Sequence, residues 1–408
     1  MTEPTRLPLR WAWRGALAVF VLAGLTGAFF RFAIAHGGAL GLDLGNVRHA
    51  HSHLMYFGWA TPALFALIAY RLPHLGGRPM PGAGLVIGAT FVLALLAYPP
   101  FLLFGYAPAV IGDARLPLSV VAAGLNVLAW YAFAALYARA RRAAPSSLGL
   151  WLFDLALFFL VLATLGAWGL PALQVVGSEN IALKTALTHL FLDVFSEGWF
   201  VFGVLGLAAT EAESESRLAR WGMGLAAAGV PFTFALGMPA ALVPPLFAGL
   251  ARLGGVLVGV GLLVVVVALW PRLRGLWRLA LGLLALKALG EVAVSAAPGA
   301  GWAAVPGFRI LYLHLMLLGF VTLGLVAAAR GAWGTEATRG HTLFAASVVL
   351  LLASLLTMTP AWPAAWGGAW IAEFVAWCAL GPVLAAGAMG IGFREIHLDL
   401  FPPKSVLQ

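Results

Sequence analysis

The chain has 408 residues, of which 62% are hydrophobic and only 10% charged, where a typical soluble protein is about 25% charged. That composition excludes a disordered chain, which could not leave so much apolar surface in water. A single cysteine, Cys378, excludes an internal disulfide framework. The formal net charge of +9 predicts no nucleic-acid partner, because the cations lie in short loops between apolar stretches, where they orient a membrane protein.

A membrane-crossing helix needs about 20 mostly apolar residues. The sequence predicts twelve, at 11–35, 50–72, 83–106, 117–140, 149–173, 181–210, 218–238, 243–270, 275–296, 303–329, 340–359 and 368–393. The short Pro-, Gly- and Asn-bearing connections leave no room for a soluble domain, so residues 1–408 read as one integral membrane domain in contact with the lipid bilayer. The fold class is an all-α membrane protein. No cleavable signal is expected, since the first run is long enough to span and no small-residue cleavage site follows it.

Basic residues fall on alternate connections. Arg6, Arg10 and Arg14 open helix 1; Arg71 and Arg78 follow helix 2; Arg139, Arg141 and Arg142 end helix 4. Arg217 and Arg220 follow helix 6, Arg272, Arg274 and Arg278 follow helix 8, Arg330 and Arg339 follow helix 10, and Arg394 and Lys404 follow helix 12. The opposite loops hold Arg48, Arg115, Lys184 and Arg309. Both termini are therefore expected in the cytoplasm, and the membrane is the plasma (inner) membrane if the chain is prokaryotic.

Helix 2 opens with the stretch Arg48-His49-Ala50-His51-Ser52-His53-Leu54-Met55-Tyr56-Phe57-Gly58-Trp59. His49 and His53 are four apart and share a face, whereas His51 points about 200° away. Pro99-Pro100 in helix 3 and Pro244-Pro245 at helix 8 are expected to kink or break those helices. Helix 6 carries His189, Asp193 and Glu197 at four-residue spacing, so the two carboxylates share a face and suit a proton relay, or a water pocket that carries no flux. Lys287 and Glu291 in helix 9 read as a self-satisfied ion pair. Asp154, Arg252 and Glu373 read as structural singletons, and Glu211, Glu213 and Glu215 as a solvated turn. His36, His74, His341 and His397 fall in loops or at helix ends.

Helix 10 contains Tyr312-Leu313-His314-Leu315-Met316-Leu317-Leu318-Gly319-Phe320 and shares with helix 2 the pattern His-Leu-Met-x-x-Gly-aromatic. The glycine in each suggests a flat patch against which a planar ring can lie. Polar residues inside a membrane usually face the bundle interior. Two inward imidazoles on different helices suit the two axial positions of a haem iron. A hydrogen bond to a neighbouring helix is the plainer role for each. No Cys-x-x-Cys-His run is present for covalent haem attachment, and no phosphate loop, zinc-type Cys-x-x-Cys or HExxH run occurs.

On these residues the chain resembles subunit I of the haem-copper oxidase superfamily, which includes cytochrome c oxidases and nitric oxide reductases. The resemblance covers the whole chain in topology and helices 2, 6 and 10 in residues. It implies a twelve-helix bundle with a haem b held by one histidine from helix 2 and one from helix 10. C-type oxidases place an arginine three residues before the helix-2 ligand and A-type members a methionine four after it; Arg48 and Met55 have those offsets from His51. The C-type helix-10 pattern, a His-x-His with a glycine five residues on, points to His314 and Gly319.

The departures are as informative. Tyr312 stands where the family has its high-spin haem ligand, and helix 7 reads Val230-Pro231-Phe232-Thr233-Phe234 in place of a His-His pair. His189 is a counterpart for the remaining imidazole, and His189-Leu190 through Glu197-Gly198-Trp199 resembles a stretched form of the reductase run His-Leu-Trp-Val-Glu-Gly. The loop Pro360–Trp366 lacks the basic residues that meet the haem propionates in the family, which leaves Arg48 or Arg309 for that role. What the resemblance implies is an electron-transferring relative with a degenerate binuclear centre, for which Asp193, Glu197, Tyr312 and His189 are the only catalytic material. Partners would be an electron donor or other respiratory-chain subunits. Two other readings fit the same residues. One is a metal-handling or proton-coupled transporter, with His36, His49, His51 and His53 collecting a transition metal such as copper. The other is a cofactor-free structural subunit of a respiratory complex.

Overall fold

A computed structural model of the chain describes residues 9–297 and 305–392, with the side chains of 391 and 392 excepted. Arg6, Arg394, His397 and Lys404 lie outside the described residues, as do the first residues expected of helix 10 and the last of helix 12.

The described chain is almost wholly helical. The helices are α1 (Arg10–His36), α2 (Leu44–His74), α3 (Ala83–Phe104), α4 (Leu118–Arg141), α5 (Leu148–Val175) and α6 (Ile181–Glu211). They continue as α7 (Arg217–Thr233), α8 (Pro245–Leu269), α9 (Leu276–Ala296), α10 (Pro306–Trp333), α11 (Thr335–Leu356, its first turn 3-10) and α12 (Trp370–Gly392). Eleven of them are long and apolar enough to cross a membrane. The other, α7, has 17 α-helical residues and continues as a 3-10 turn, Phe234–Gly237. The chain is thus an all-α membrane protein. A two-stranded hairpin, β1 (Ala109–Ile111) and β2 (Ala114–Leu116), joins α3 to α4 with Ala109 opposite Leu116.

Successive helices run in opposite directions. The end where α1 begins is called the terminal face below, and the end where α2 begins is called the histidine face. The helix starts follow local chemistry. The Asp43 carboxylate accepts the Asn46 N–H at 2.9 Å, so α2 begins at Leu44, six residues before the expected 50. Ser147, Asn180 and Ser216 cap α5, α6 and α7 in the same way. The proline pairs act differently from expectation. α3 continues through Pro99-Pro100 to Phe104, and Pro244-Pro245 occupy the N-cap and first position of α8, where a missing N–H costs nothing.

The acidic turn after α6 is not merely solvated. Glu211 pairs with Arg71 at 2.5 Å, and Glu215 accepts the Leu148 N–H at 2.9 Å while pairing with Arg220 at 2.6 Å. Asp154 and Glu373 are not singletons either: Arg141 lies 3.2 Å from Asp154, and His36 lies 3.6 Å from Glu373.

Three helices are interrupted by π-helical segments: Leu54–Ala60 in α2, Val194–Val201 in α6 and Leu315–Thr322 in α10. Each segment carries a glycine followed by an aromatic residue, Gly58-Trp59, Gly198-Trp199 and Gly319-Phe320. Beyond the π turns, the terminal-face halves of these three helices pack on one another, and nearly every residue there is buried. Two of the contacts repeat one register. The Trp199 indole on α6 donates to Thr61 on α2 at 3.3 Å, and the Trp59 indole on α2 donates to Thr322 on α10 at 3.2 Å. The third pair in this register, Phe320 and Val201, is apolar and buried. Gly203 lies against Leu64, and Gly324 against Val204, so close that a Cβ would overlap either neighbour. This hub is the centre of the core.

Candidate functional site

On the histidine side of the π turns the same three helices separate. Of Ile181–Asp193 only His189 is buried, and of Pro306–His314 only Gly307. The candidate residues occupy this half.

The three helix-2 histidines part company as their spacing requires. His49 meets the edge of Tyr106 with ring centroids 5.0 Å apart. His53 is buried, stacked on Phe57 at 4.1 Å and against Phe101 at 4.6 Å. Its Nε2 is sealed in without a partner. His51 faces α1 instead, and its Nδ1 lies 2.7 Å from the Ala23 carbonyl. Gly27 of α1 lies against the His51 ring, and a Cβ there would come within 2.7 Å of Cε1. On α10, Nδ1 of His314 lies 2.7 Å from the Ile310 carbonyl.

A carbonyl only accepts, so both rings carry their proton on Nδ1 and leave Nε2 as a bare acceptor. Both residues are half-buried, and unlike that of His53 neither Nε2 is sealed in. His314 is within electrostatic reach of His51, and both are within reach of Arg31 on α1. The described hydrogen bond of Arg31 goes to the Met358 sulfur at 3.6 Å. No carboxylate pairs with it among the described residues. Arg31 is not among the residues singled out from the sequence, although an arginine inside an apolar helix is a signal for such a role.

The glycines do not offer the flat patches expected of them. Val19 and Ala94 close over Gly58, and Leu283 and Leu352 over Gly319.

A second cluster lies between α6, α9 and α10. Lys287 is fully buried, and its ammonium donates to Glu197 and to Glu291, each at 2.6 Å. The pair expected within α9 is therefore a three-charge group spanning two helices. The Tyr312 hydroxyl donates to the same Glu197 oxygen at 2.7 Å, and the Lys287 ammonium sits 5.1 Å from the Tyr312 ring centre. Glu197 Oε2 and Glu291 Oε1 are buried without partners.

Asp193 does not bond to Glu197. It takes His189 as partner at 3.3 Å, although the two carboxylates feel each other's charge. Arg309 donates to the Gly237 carbonyl at 3.3 Å and lies 3.4 Å from Nδ1 of His189, which ties α10 to α6 and to the turn after α7. Arg48 is exposed beside His49. The structure thus joins Glu197 with Tyr312, joins His189 with Asp193 and Arg309, and turns His51 away from His49 and His53. Among the described residues no three His, Cys, Asp or Glu side chains gather as a metal site.

No family model matches the chain, and no curated protein matches it.

Proposed function

We propose that the chain is a membrane b-type cytochrome, resembling subunit I of the haem-copper oxidases, that holds one low-spin haem between His51 and His314. The carrying observation is the state of these two imidazoles. Each is oriented by an Nδ1–H bond to a backbone carbonyl, the arrangement that fixes a ligating histidine's tautomer and raises its basicity. Each presents an unsealed Nε2, and the two belong to one electrostatic neighbourhood. Arg31, without a carboxylate partner, suits the anionic propionates of the same group better than the exposed Arg48 or the tied Arg309.

When bound, the haem supplies one-electron transfer. With His51 and His314 both holding it, the group would serve electron transfer and would leave no place for oxygen or nitric oxide to bind. The material for a second centre is otherwise engaged: the Lys287 ammonium lies between the two glutamates, and Tyr312 is committed to Glu197. That favours electron transfer over oxidase or reductase turnover.

The twelve-span count is supported by the length of α7. Its 17 α-helical and four 3-10 residues reach about 33 Å at about 1.5 and 2.0 Å per residue, against a hydrocarbon core of about 30 Å. With twelve spans and the basic loops on the terminal face, both termini are cytoplasmic.

The test is the visible spectrum of the detergent-purified protein, oxidised and dithionite-reduced, beside His51→Ala and His314→Ala. A sharp reduced α-band in the wild type that disappears in both variants is expected. A colourless protein from haem-replete cells would refute the assignment. A high-spin signal that persists beside the low-spin one would restore a catalytic centre.

A further inference from the structure

We propose that the groove between α5 and α7 at the terminal face binds one anionic phospholipid. Arg217 and Arg220 hold its headgroup phosphate, and an acyl chain lies along Trp151, Trp221, Gly224 and Leu225. The proposal does not depend on the haem reading.

The groove follows from the sequence of α7. Arg217, Trp221 and Leu225 are spaced by four residues, as are Arg220 and Gly224, so all five share one side of the helix. Another side is taken by α8, where Gly222 and Gly229 lie against the carbonyls of Gly261 and Gly254. The far wall comes from α5, whose Trp151 ring has the Arg220 guanidinium 6.0 Å from its centre. The cleft between these walls has a volume of about 480 Å³ and is lined by Trp151, Arg217, Arg220, Trp221, Gly224 and Leu225.

Its chemistry changes with depth. Arg217 is the first residue of α7. Gly224 and Leu225 come seven and eight residues later, about 11 and 12 Å deeper at about 1.5 Å per residue. The cations thus stand at the helix end, the apolar floor lies within the span, and the two tryptophans mark the level between, where such rings collect in membranes. The floor is open. Trp221 is 75% exposed, and a Cβ on Gly224 would meet nothing within 4 Å. A phospholipid has the same grading, phosphate above and acyl chain below. A soluble anion would use the mouth alone, and a peptide would bring backbone polar groups for which the floor has no partners.

The charge at the mouth is uncompensated. Arg220 pairs with Glu215 at 2.6 Å, and that carboxylate also accepts the Leu148 N–H. Arg217 has neither a carboxylate nor a side-chain hydrogen-bond partner among the described residues. No acidic residue stands in the first turn of α7, so the positive end of the helix dipole adds to the two guanidiniums. One carboxylate does not balance them. A phosphate does, in the geometry that guanidiniums match best, and basic pockets between membrane helices select anionic headgroups in this way.

The experiment is native mass spectrometry of the purified, delipidated full-length protein, titrated separately with phosphatidylglycerol and phosphatidylcholine, and with inorganic phosphate as competitor. The expected result is one phosphatidylglycerol per chain at saturation, held more tightly than phosphatidylcholine and less tightly as salt is raised. Arg217→Gln should raise the half-saturating lipid concentration about fivefold, the worth of one arginine near an anionic surface. Gly224→Trp fills the floor and leaves both arginines, and it should weaken binding at least as much; Gly224→Ala should leave it unchanged. Equal retention of the two lipids by the wild type, or no saturation at one lipid, overturns the site. So does binding that is indifferent to Arg217→Gln. Displacement of the lipid by inorganic phosphate, or binding indifferent to Gly224→Trp, overturns the acyl-chain groove and leaves a site for a free anion. The wild-type comparison of the two lipids decides even if a variant fails to fold.

Discussion

The two halves of α2, α6 and α10 obey different rules. Between the π turns and the terminal face the three helices touch, bury nearly every side chain and keep their charged residues to the last turns, where Arg71 pairs with Glu211. Between the π turns and the histidine face they part and carry the imidazoles, the carboxylates and Tyr312. A π turn inserts one extra residue and is often found at functional sites. Here it marks the level at which packing gives way to chemistry on all three helices. The lesson is a division of labour: the hub fixes the separation of the helices, and the half beyond it can then hold groups that pack poorly.

The largest expected effect tests a charged cluster of the polar half that is sealed like the hub. Lys287→Met leaves Glu197 and Glu291 side by side without their cation. Removing one partner of a buried ionic group destabilises by about 3–5 kcal/mol, so the thermal unfolding midpoint in detergent should fall steeply. Combining it with Glu291→Gln should recover part of the loss. No recovery would show that Lys287 acts through packing and not through charge.

A smaller effect separates the halves directly. Gly203→Leu drives a side chain into Leu64 inside the hub, and overpacking of this kind costs about 1–3 kcal/mol. Ile181→Ala, at a site 68% exposed at the histidine end of the same helix, should stay within about 0.5 kcal/mol. Equal losses in the two melting curves would dissolve the contrast between hub and periphery.

The sequence made one half more legible than the other. Long apolar runs announce membrane helices, and all twelve expected segments coincide with helices to within a few residues, apart from the early starts of α2 and α11, the late end of α10 and the early close of α7. The early start of α2 depends on Asp43, a cap that reads as loop composition. The π turns are invisible to hydropathy because an extra residue in an apolar run leaves it apolar. The rotation of His51 away from His49 and His53 follows from helical spacing alone. The join of Lys287 to Glu197 is different in kind: the two lie 90 residues apart, and no periodicity within either helix predicts it. Arg31 escapes a charge pattern taken from the loops because it lies within α1.

The finest test bears on whether the hub is a repeated design. Trp59 and Trp199 occupy the same register, one residue after the π-turn glycine, and each donates to the threonine three residues after the glycine of the next helix, at 3.2 and 3.3 Å. Trp59→Phe and Trp199→Phe each remove one indole donor and keep an aromatic ring. A buried hydrogen bond of this kind contributes about 1 kcal/mol. Thr322 still donates to the Leu317 carbonyl in Trp59→Phe, so neither variant should collapse the hub. The third position already carries the phenylalanine that the variants introduce: Phe320 is fully buried, as is Val201, which holds the threonine's register position on α6. If the three positions are equivalent, the two variants should lower the melting midpoint by similar small amounts, and their effects should add in the double variant. A loss confined to one tryptophan would mean that the shared register is a likeness of sequence and not of packing.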